Sequence, residues 1–300
     1  MNVQHFLTLN DLPASTLQTL IDRAIELKAE TKANKIYQPL KNKTLAMIFS
    51  KSSTRTRVSF EVGMRQLGGG SINLNPNETQ IGRGEPVEDT ARVISSMVDA
   101  VMIRTDSHAM VQTFADYSSV PVINGLTDDF HPCQLLADLQ TLQELRGSIA
   151  GASVAWVGDG NNVCHSWMNA ARLFNFSLSI ATPNGFEPDA SILEMNSDVV
   201  KLSNDPQKAV KNADVVVTDT WASMGQEQEK DTRTAAFTGF CVDQAMMSLA
   251  NKDAIFMHCL PAYREMEVAN DVIEGPQSVV FQEAENRLHA QKALLELLLS

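Results

Sequence analysis

Between positions 50 and 61 the chain reads Ser-Lys-Ser-Ser-Thr-Arg-Thr-Arg-Val-Ser-Phe-Glu. Four hydroxyls (Ser52, Ser53, Thr54 and Thr56) and two guanidinium groups (Arg55 and Arg57) fall within six residues. Guanidinium forks match the oxygens of a phosphate, and hydroxyls add further donors. Other residues able to do chemistry are spread along the chain: Arg104, His131, Gln134, Asp219, Cys259 and Arg287. An arginine-rich turn suits an anion, and a carboxylate at a strand end suits an amine.

The elements around these residues say how they are held. The apolar run at 45–49 predicts a buried strand, and Val58, Phe60, Val62, Met64 and Leu67 follow at helical spacing. Residues 53–57 therefore lie at a strand-to-helix turn. Helix-start N–H groups lack internal partners and carry partial positive charge, so they favour an anion. The plainer alternative is a helix cap with two exposed arginines; the donor density, in so acidic a chain, favours a phosphate cradle.

Further strands are expected at 71–74, 100–103, 121–124, 152–157, 177–181, 213–219 and 254–257, with helices at 88–97, 107–117, 135–145, 234–240, 241–250 and 283–299. This alternation predicts parallel α/β structure, with a second α/β unit beginning after Arg146-Gly147-Ser148. Arg104 closes one strand, at the end where open sheets hold ligands. His131-Pro132-Cys133-Gln134 precedes a helix; its histidine serves either as a cap or as a substrate contact. Asp219 ends a strand, to bind an amine or to cap the next segment. His258-Cys259-Leu260-Pro261 leaves another strand, with an X-Pro bond that is a candidate for cis. Residues 75–86 lack periodicity and form either a functional loop or a plain surface one. Gly158 and Gly160 suggest a dinucleotide fingerprint, but Val163 replaces the third glycine and no acid ends the next strand, so NAD is discounted.

The chain has 300 residues, enough for two domains, with 44% hydrophobic and 20% charged residues. A formal charge of −12 argues against nucleic acid and anionic membranes as partners. The four cysteines form no C-x-x-C pair, which fits reduced thiols in a cytoplasm. No apolar run reaches membrane length.

In order along the chain, five motifs resemble those of the aspartate/ornithine carbamoyltransferase family, most closely its ornithine branch: Ser53-Thr54-Arg55-Thr56-Arg57, His131-Pro132-Cys133-Gln134, Asp219 with Ser223-Met224-Gly225, His258-Cys259-Leu260-Pro261, and Arg287. The resemblance implies two similar-sized domains, each a parallel sheet flanked by helices. They would span 1–145 and 146–280, with 281–300 as a helix packing back on the first and the active site in the cleft between them. It implies transfer of a carbamoyl group from carbamoyl phosphate to the side-chain amine of L-ornithine, without cofactor or metal. Carried over residue by residue, Ser53, Thr54, Arg55 and Thr56 hold the phosphate. Arg104, His131, Gln134, Cys259, Leu260 and Arg287 form the carbamoyl pocket. Asn162, Asp219, Ser223 and Met224 hold ornithine, and Arg104, His131, Cys259 and Asp219 serve catalysis. Gln80 reaches over from a neighbouring subunit, implying a homotrimer or a multiple of it. Tyr263 stands where the family commonly has His. Residues 77–86 contain no lysine, which weighs against the aspartate branch. Rival expectations are an acylated ornithine, putrescine or aspartate as acceptor, or a non-catalytic binder of phosphate ligands.

Overall fold

Short aliphatic runs, each followed by a helix, favour parallel strands joined by crossovers. The computed structural model has this form and describes residues 4–75, 84–221 and 230–300. The chain divides into two compact units, Met1–Gln140 with Glu285–Ser300, and Thr141–Ala284.

The first unit runs α1 (Ala14–Lys32), β1 (Thr44–Phe49), α2 (Thr54–Gln66), β2 (Gly70–Leu74), α3 (Val87–Ser95), β3 (Ala100–Arg104), α4 (His108–Tyr117) and β4 (Val122–Leu126). Its strands are all parallel, in the order β2-β1-β3-β4. β3 is buried along its whole length, as a central strand covered on both faces must be. Ala46, Ile48, Val101 and Ile103 pack with Ala91, Val111 and Phe114.

Helix α5 (Pro132–Arg146) leads into the second unit. There follow β5 (Ser153–Val157), α6 (Asn162–Phe174), β6 (Ser177–Ala181), α7 (Ala190–Met195), β7 (Val200–Ser203), α8 (Pro206–Val210), β8 (Val215–Thr218), α9 (Lys230–Ala236), α10 (Gln244–Met247), β9 (Ile255–His258), α11 (Asn270–Ile273) and α12 (Val280–Leu299). The sheet order is β7-β6-β5-β8-β9, again wholly parallel. Trp221 stacks on Phe237 at 5.2 Å between ring centroids, within a core that includes Val157, Val216 and Phe256.

The expected strands fall where the apolar runs predict them. The helix expected at 234–240 lies earlier, at Lys230–Ala236, and the one expected at 241–250 shortens to Gln244–Met247. Gly239 takes φ +90°, which no helix continues through, and the Asp243 side chain accepts the Met246 N–H at 2.7 Å, so the second helix starts at Gln244. The short elements α7, β7 and α8 had no sequence expectation. Among the described residues no helix is long and apolar enough to cross a membrane.

Candidate active site

In an open parallel sheet, the place where successive connections leave in opposite directions opens a crevice at the carboxyl ends of the strands. In the first unit that place lies between β1 and β3; in the second it lies between β5 and β8. The chemistry-bearing residues gather at both.

In the first unit, β1 delivers the turn expected to hold phosphate. Ser53 caps α2, its Oγ accepting the Thr56 N–H at 3.3 Å. Among the described residues the Thr54 and Arg55 N–H groups meet no acceptor, which leaves the helix start open to an anion. Arg57 does not join them. It lies a turn further along, is 54% exposed, and faces Glu61 at 3.6 Å. Arg104, the last residue of β3, is aligned with the turn by a Ser50 N–H to Arg104 C=O bond of 2.9 Å.

The buried Thr56 hydroxyl is the hub. It accepts from Arg104 Nη1 at 3.2 Å and from Arg287 Nη2 at 3.4 Å. With both lone pairs taken, its one hydrogen remains to donate. Arg287 Nη1 also donates to Gln134 Oε1 at 2.6 Å, and Gln134 Nε2 donates to Asp138 at 2.8 Å. With the Gln291 amide oxygen oriented toward Arg287, Gln291 accepts from Arg287 Nε at 3.2 Å. Asp138 and Gln291 escaped the sequence reading, although each lies four residues from its partner on one helix, a spacing that brings side chains together.

His131 is buried beside these guanidiniums. Burial first, then Arg287 and Arg104, hold its pKa well below the ordinary value of 6.5. A neutral imidazole next to two cations can donate one N–H to a developing oxyanion without titrating in the working range. The same shift predicts acid lability. A folded-state pKa below the unfolded one means that the unfolded chain binds the extra proton. The stabilisation is whole above 6.5 and drains as pH falls below it. In urea titrations between pH 7.5 and 5.5, His131→Gln should flatten the decline by up to about 1.4 kcal/mol per pH unit. Superimposable slopes for the two proteins would show that His131 protonates freely when folded.

In the second unit, Asp219 follows β8 and is buried. Its Oδ2 accepts from Asn161 Nδ2 at 2.8 Å, and its Oδ1 accepts from the Thr220 N–H at 2.7 Å and from Cys259 Sγ at 3.1 Å. Asn161 also caps α6, its Oδ1 taking the N–H groups of Val163 and Cys164. Asn162, the expected ornithine contact, is the first residue of that helix, and its neighbour Asn161 is the one that anchors Asp219. Asp159, beside them, is pushed up to about 6 by burial and by the Asp219 charge, against the pull of Arg233 at 2.8 Å.

The glycines between β5 and α6 serve packing. Gly158 has φ +141°, and a Cβ on Gly160 would stand 2.2 Å from the Pro188 nitrogen. His258, Cys259 and Asp219 bring ligand-type atoms within 4.8 Å of one another. The His258 ring is committed, Nδ1 accepting the Leu260 N–H at 2.9 Å and Nε2 meeting Glu267 at 3.2 Å, so the set presents a thiol and a carboxylate rather than a three-ligand metal site. The Leu260–Pro261 bond is cis. Gln80, Ser223 and Met224 lie outside the described residues.

Known proteins match this chain along almost its whole length. Residues 4–144 match the carbamoyl-P binding domain of aspartate/ornithine carbamoyltransferase, and residues 150–298 match its Asp/Orn binding domain. The ornithine carbamoyltransferase of Nitrosococcus oceani is 61% identical over 299 residues, covering 100% of this chain and 98% of that protein. That of Methylococcus capsulatus is 60% identical and covers 100% of both. Among solved structures, ornithine carbamoyltransferase from Pyrococcus furiosus superposes with a TM-score of 0.95 at 49% identity, covering 99% of this chain and 97% of that one. The anabolic enzyme from Campylobacter jejuni gives 0.93 at 45% identity, covering 99% of both chains.

Proposed function

We propose that this chain, which belongs to the aspartate/ornithine carbamoyltransferase family, transfers the carbamoyl group of carbamoyl phosphate to the side-chain amine of L-ornithine, giving L-citrulline and phosphate. The observation that carries this is the Thr56 hydroxyl held by two buried guanidiniums beside a neutral imidazole, at the switch point of the first sheet. The amine attacks the carbonyl carbon, and negative charge grows on the carbonyl oxygen. Arg104, His131 and the Thr56 hydroxyl meet that charge. As the C–O bond to phosphate breaks, the amine's surplus proton passes to the leaving phosphate, and the resulting hydrogen phosphate dianion is retained by Ser53, Thr54, Arg55 and the open N–H groups of α2. Gln134, fixed by Arg287 and Asp138, orients the carbamoyl amide beside Arg287, and Cys259 and Leu260 are assigned to carbamoyl phosphate on the resemblance. The transfer is redox-neutral and needs no covalent nucleophile.

The second unit supplies the acceptor half. Asp219 receives a substrate amine, with Asn162 beside it and Ser223 and Met224 assigned on the resemblance. Cys259, whose thiol donates to Asp219, orients the amine. We infer a homotrimer or a multiple of it. Gln80 would come from the neighbouring subunit, and exposed Val58, Ile72, Val93 and Met97 give the first unit apolar surface for such contacts. Free cysteines suit a cytoplasmic setting.

An acceptor panel tests the reading. With carbamoyl phosphate, ornithine should support phosphate release at least about 100-fold faster than N-acetylornithine, putrescine or aspartate, since a buried polar site rejects analogues that leave its groups unpaired. A faster rate with another acceptor would reassign the second unit. No release with any acceptor would remove the transferase reading.

A further inference from the structure

We propose that Glu267, acting through His258, is a positioning residue that holds the Cys259-Leu260 turn in its working shape. The proposal rests on the carbamoyl-transfer reading, because it assigns that turn to the substrate pocket.

The turn needs holding. Leu260 sits at φ +54°, in the left-handed region, where a branched side chain is disfavoured. One residue earlier, Cys259 must aim its Sγ at Asp219. Nothing in the motif His258-Cys259-Leu260-Pro261 read as sequence explains why that geometry persists. The structure supplies a buried relay. His258 ends β9, and its backbone N–H is fixed by Glu283 Oε2 at 3.0 Å. Its ring and the Glu267 carboxylate have no solvent exposure. Glu267 Oε1 meets His258 Nε2 at 3.2 Å and accepts the Tyr263 N–H at 2.5 Å, so one oxygen ties both ends of the turn.

The carboxylate also decides the tautomer. A carboxylate is an acceptor only, so the ring proton belongs on Nε2, and Nδ1 keeps its lone pair. That lone pair takes the Leu260 N–H at 2.9 Å. In the other tautomer two N–H groups would face each other, and the left-handed residue would lose its tether. Glu267 is itself anchored, its carbonyl accepting the Val242 N–H at 3.0 Å. Its carboxylate reaches Cys259 and Leu260 through the imidazole and Tyr263 directly, so it holds the turn at both ends.

Isosteric substitutions separate the two ends of the relay. At 258, asparagine places an acceptor oxygen where Nδ1 sits but cannot reach Glu267. Glutamine places a donor where Nε2 sits and offers Leu260 nothing. His258→Asn should stay within about 10-fold of the parent in kcat/KM for ornithine, while His258→Gln should fall by about 100-fold, the scale at which outer partners of a site act. Glu267→Gln, which keeps an acceptor oxygen, should rescue what Glu267→Met loses, about 30-fold or more in kcat/KM for ornithine. Carbamoyl-phosphate affinity by calorimetry should weaken by no more than about 10-fold in all four, because the phosphate turn is untouched and only the Cys259-Leu260 contribution to the carbamoyl pocket shifts.

The Nε2–H signature in two-bond 1H–15N spectra should persist in Glu267→Gln and vanish in Glu267→Met. If glutamine equals or surpasses asparagine at 258, the relay is not what matters. If Glu267→Met merely lowers the melting temperature and keeps its kinetic constants and tautomer, Glu267 is a packing residue. Should Glu267→Met not fold, the order of the two His258 variants decides. Failure of the unmodified protein to form citrulline would sink the transfer reading; a reversed order in an active protein would sink this proposal alone.

Discussion

Arg55→Ala should lower kcat/KM by about 10³, close to 4 kcal/mol of transition-state stabilisation, and leave the fold intact. The size follows from position. Arg55 is the second residue of α2, where the open N–H groups gather and where the leaving phosphate takes on full charge. A guanidinium there supplies a charge-assisted fork that backbone amides and hydroxyls do not replace. The harmlessness to the fold follows from what Arg55 does not touch: among the described residues its side chain has no hydrogen-bond or ion-pair partner, and alanine is the strongest helix former available for the first turn. Arg55→Lys should recover part of the loss, since it restores charge without the fork. Citrulline formation, calorimetry with carbamoyl phosphate, and a thermal melt together decide the matter. An alanine variant keeping more than about a tenth of its activity would mean that another group holds the phosphate.

The second large effect is expected at Asp219. Asp219→Asn looks conservative, yet the local hydrogen bonds leave it no satisfactory orientation. Both carboxylate oxygens accept: one from Asn161 Nδ2, the other from the Thr220 N–H and Cys259 Sγ. An amide placed either way points its NH2 at a donor. Asn161 cannot turn to accommodate it, because its own oxygen caps α6. The substitution removes the charge that an ornithine ammonium would meet and misdirects the thiol as well. KM for ornithine should rise by about 100-fold, with kcat falling by about 10-fold or more. Binding of carbamoyl phosphate alone should be unchanged, since the phosphate turn belongs to the other compact unit. Weakened phosphate-ligand binding with normal ornithine kinetics would overturn the assignment.

Much of this arrangement is legible from residue order. Buried strands in a parallel sheet announce themselves as short apolar runs, and those ending at Phe49, Arg104 and Thr218 place the phosphate turn, the Arg104 guanidinium and Asp219 at strand ends. The Pro after Leu260 likewise flagged a special turn. What stayed hidden was of two kinds. The four-residue strand β7 and the short helices α7 and α8 carry too few positions to show a period. Side-chain partnerships across long separations left no trace either: nothing in the order of residues ties Arg287 to Thr56 or Arg233 to Asp159. Arg57 shows the converse error, since two arginines two apart in sequence diverge once the segment is helical.

The bonds that organise each switch point lie within its own compact unit, those of Thr56 with Arg104 and Arg287 in the first and those of Asp219 with Asn161 and Cys259 in the second. Evolution can therefore exchange one customer without renegotiating with the other. Drift around Asn161, Asp219 and Cys259 would alter which nucleophile is welcomed while the donor molecule is handled as before, giving one activated carbonyl a lineage of different recipients.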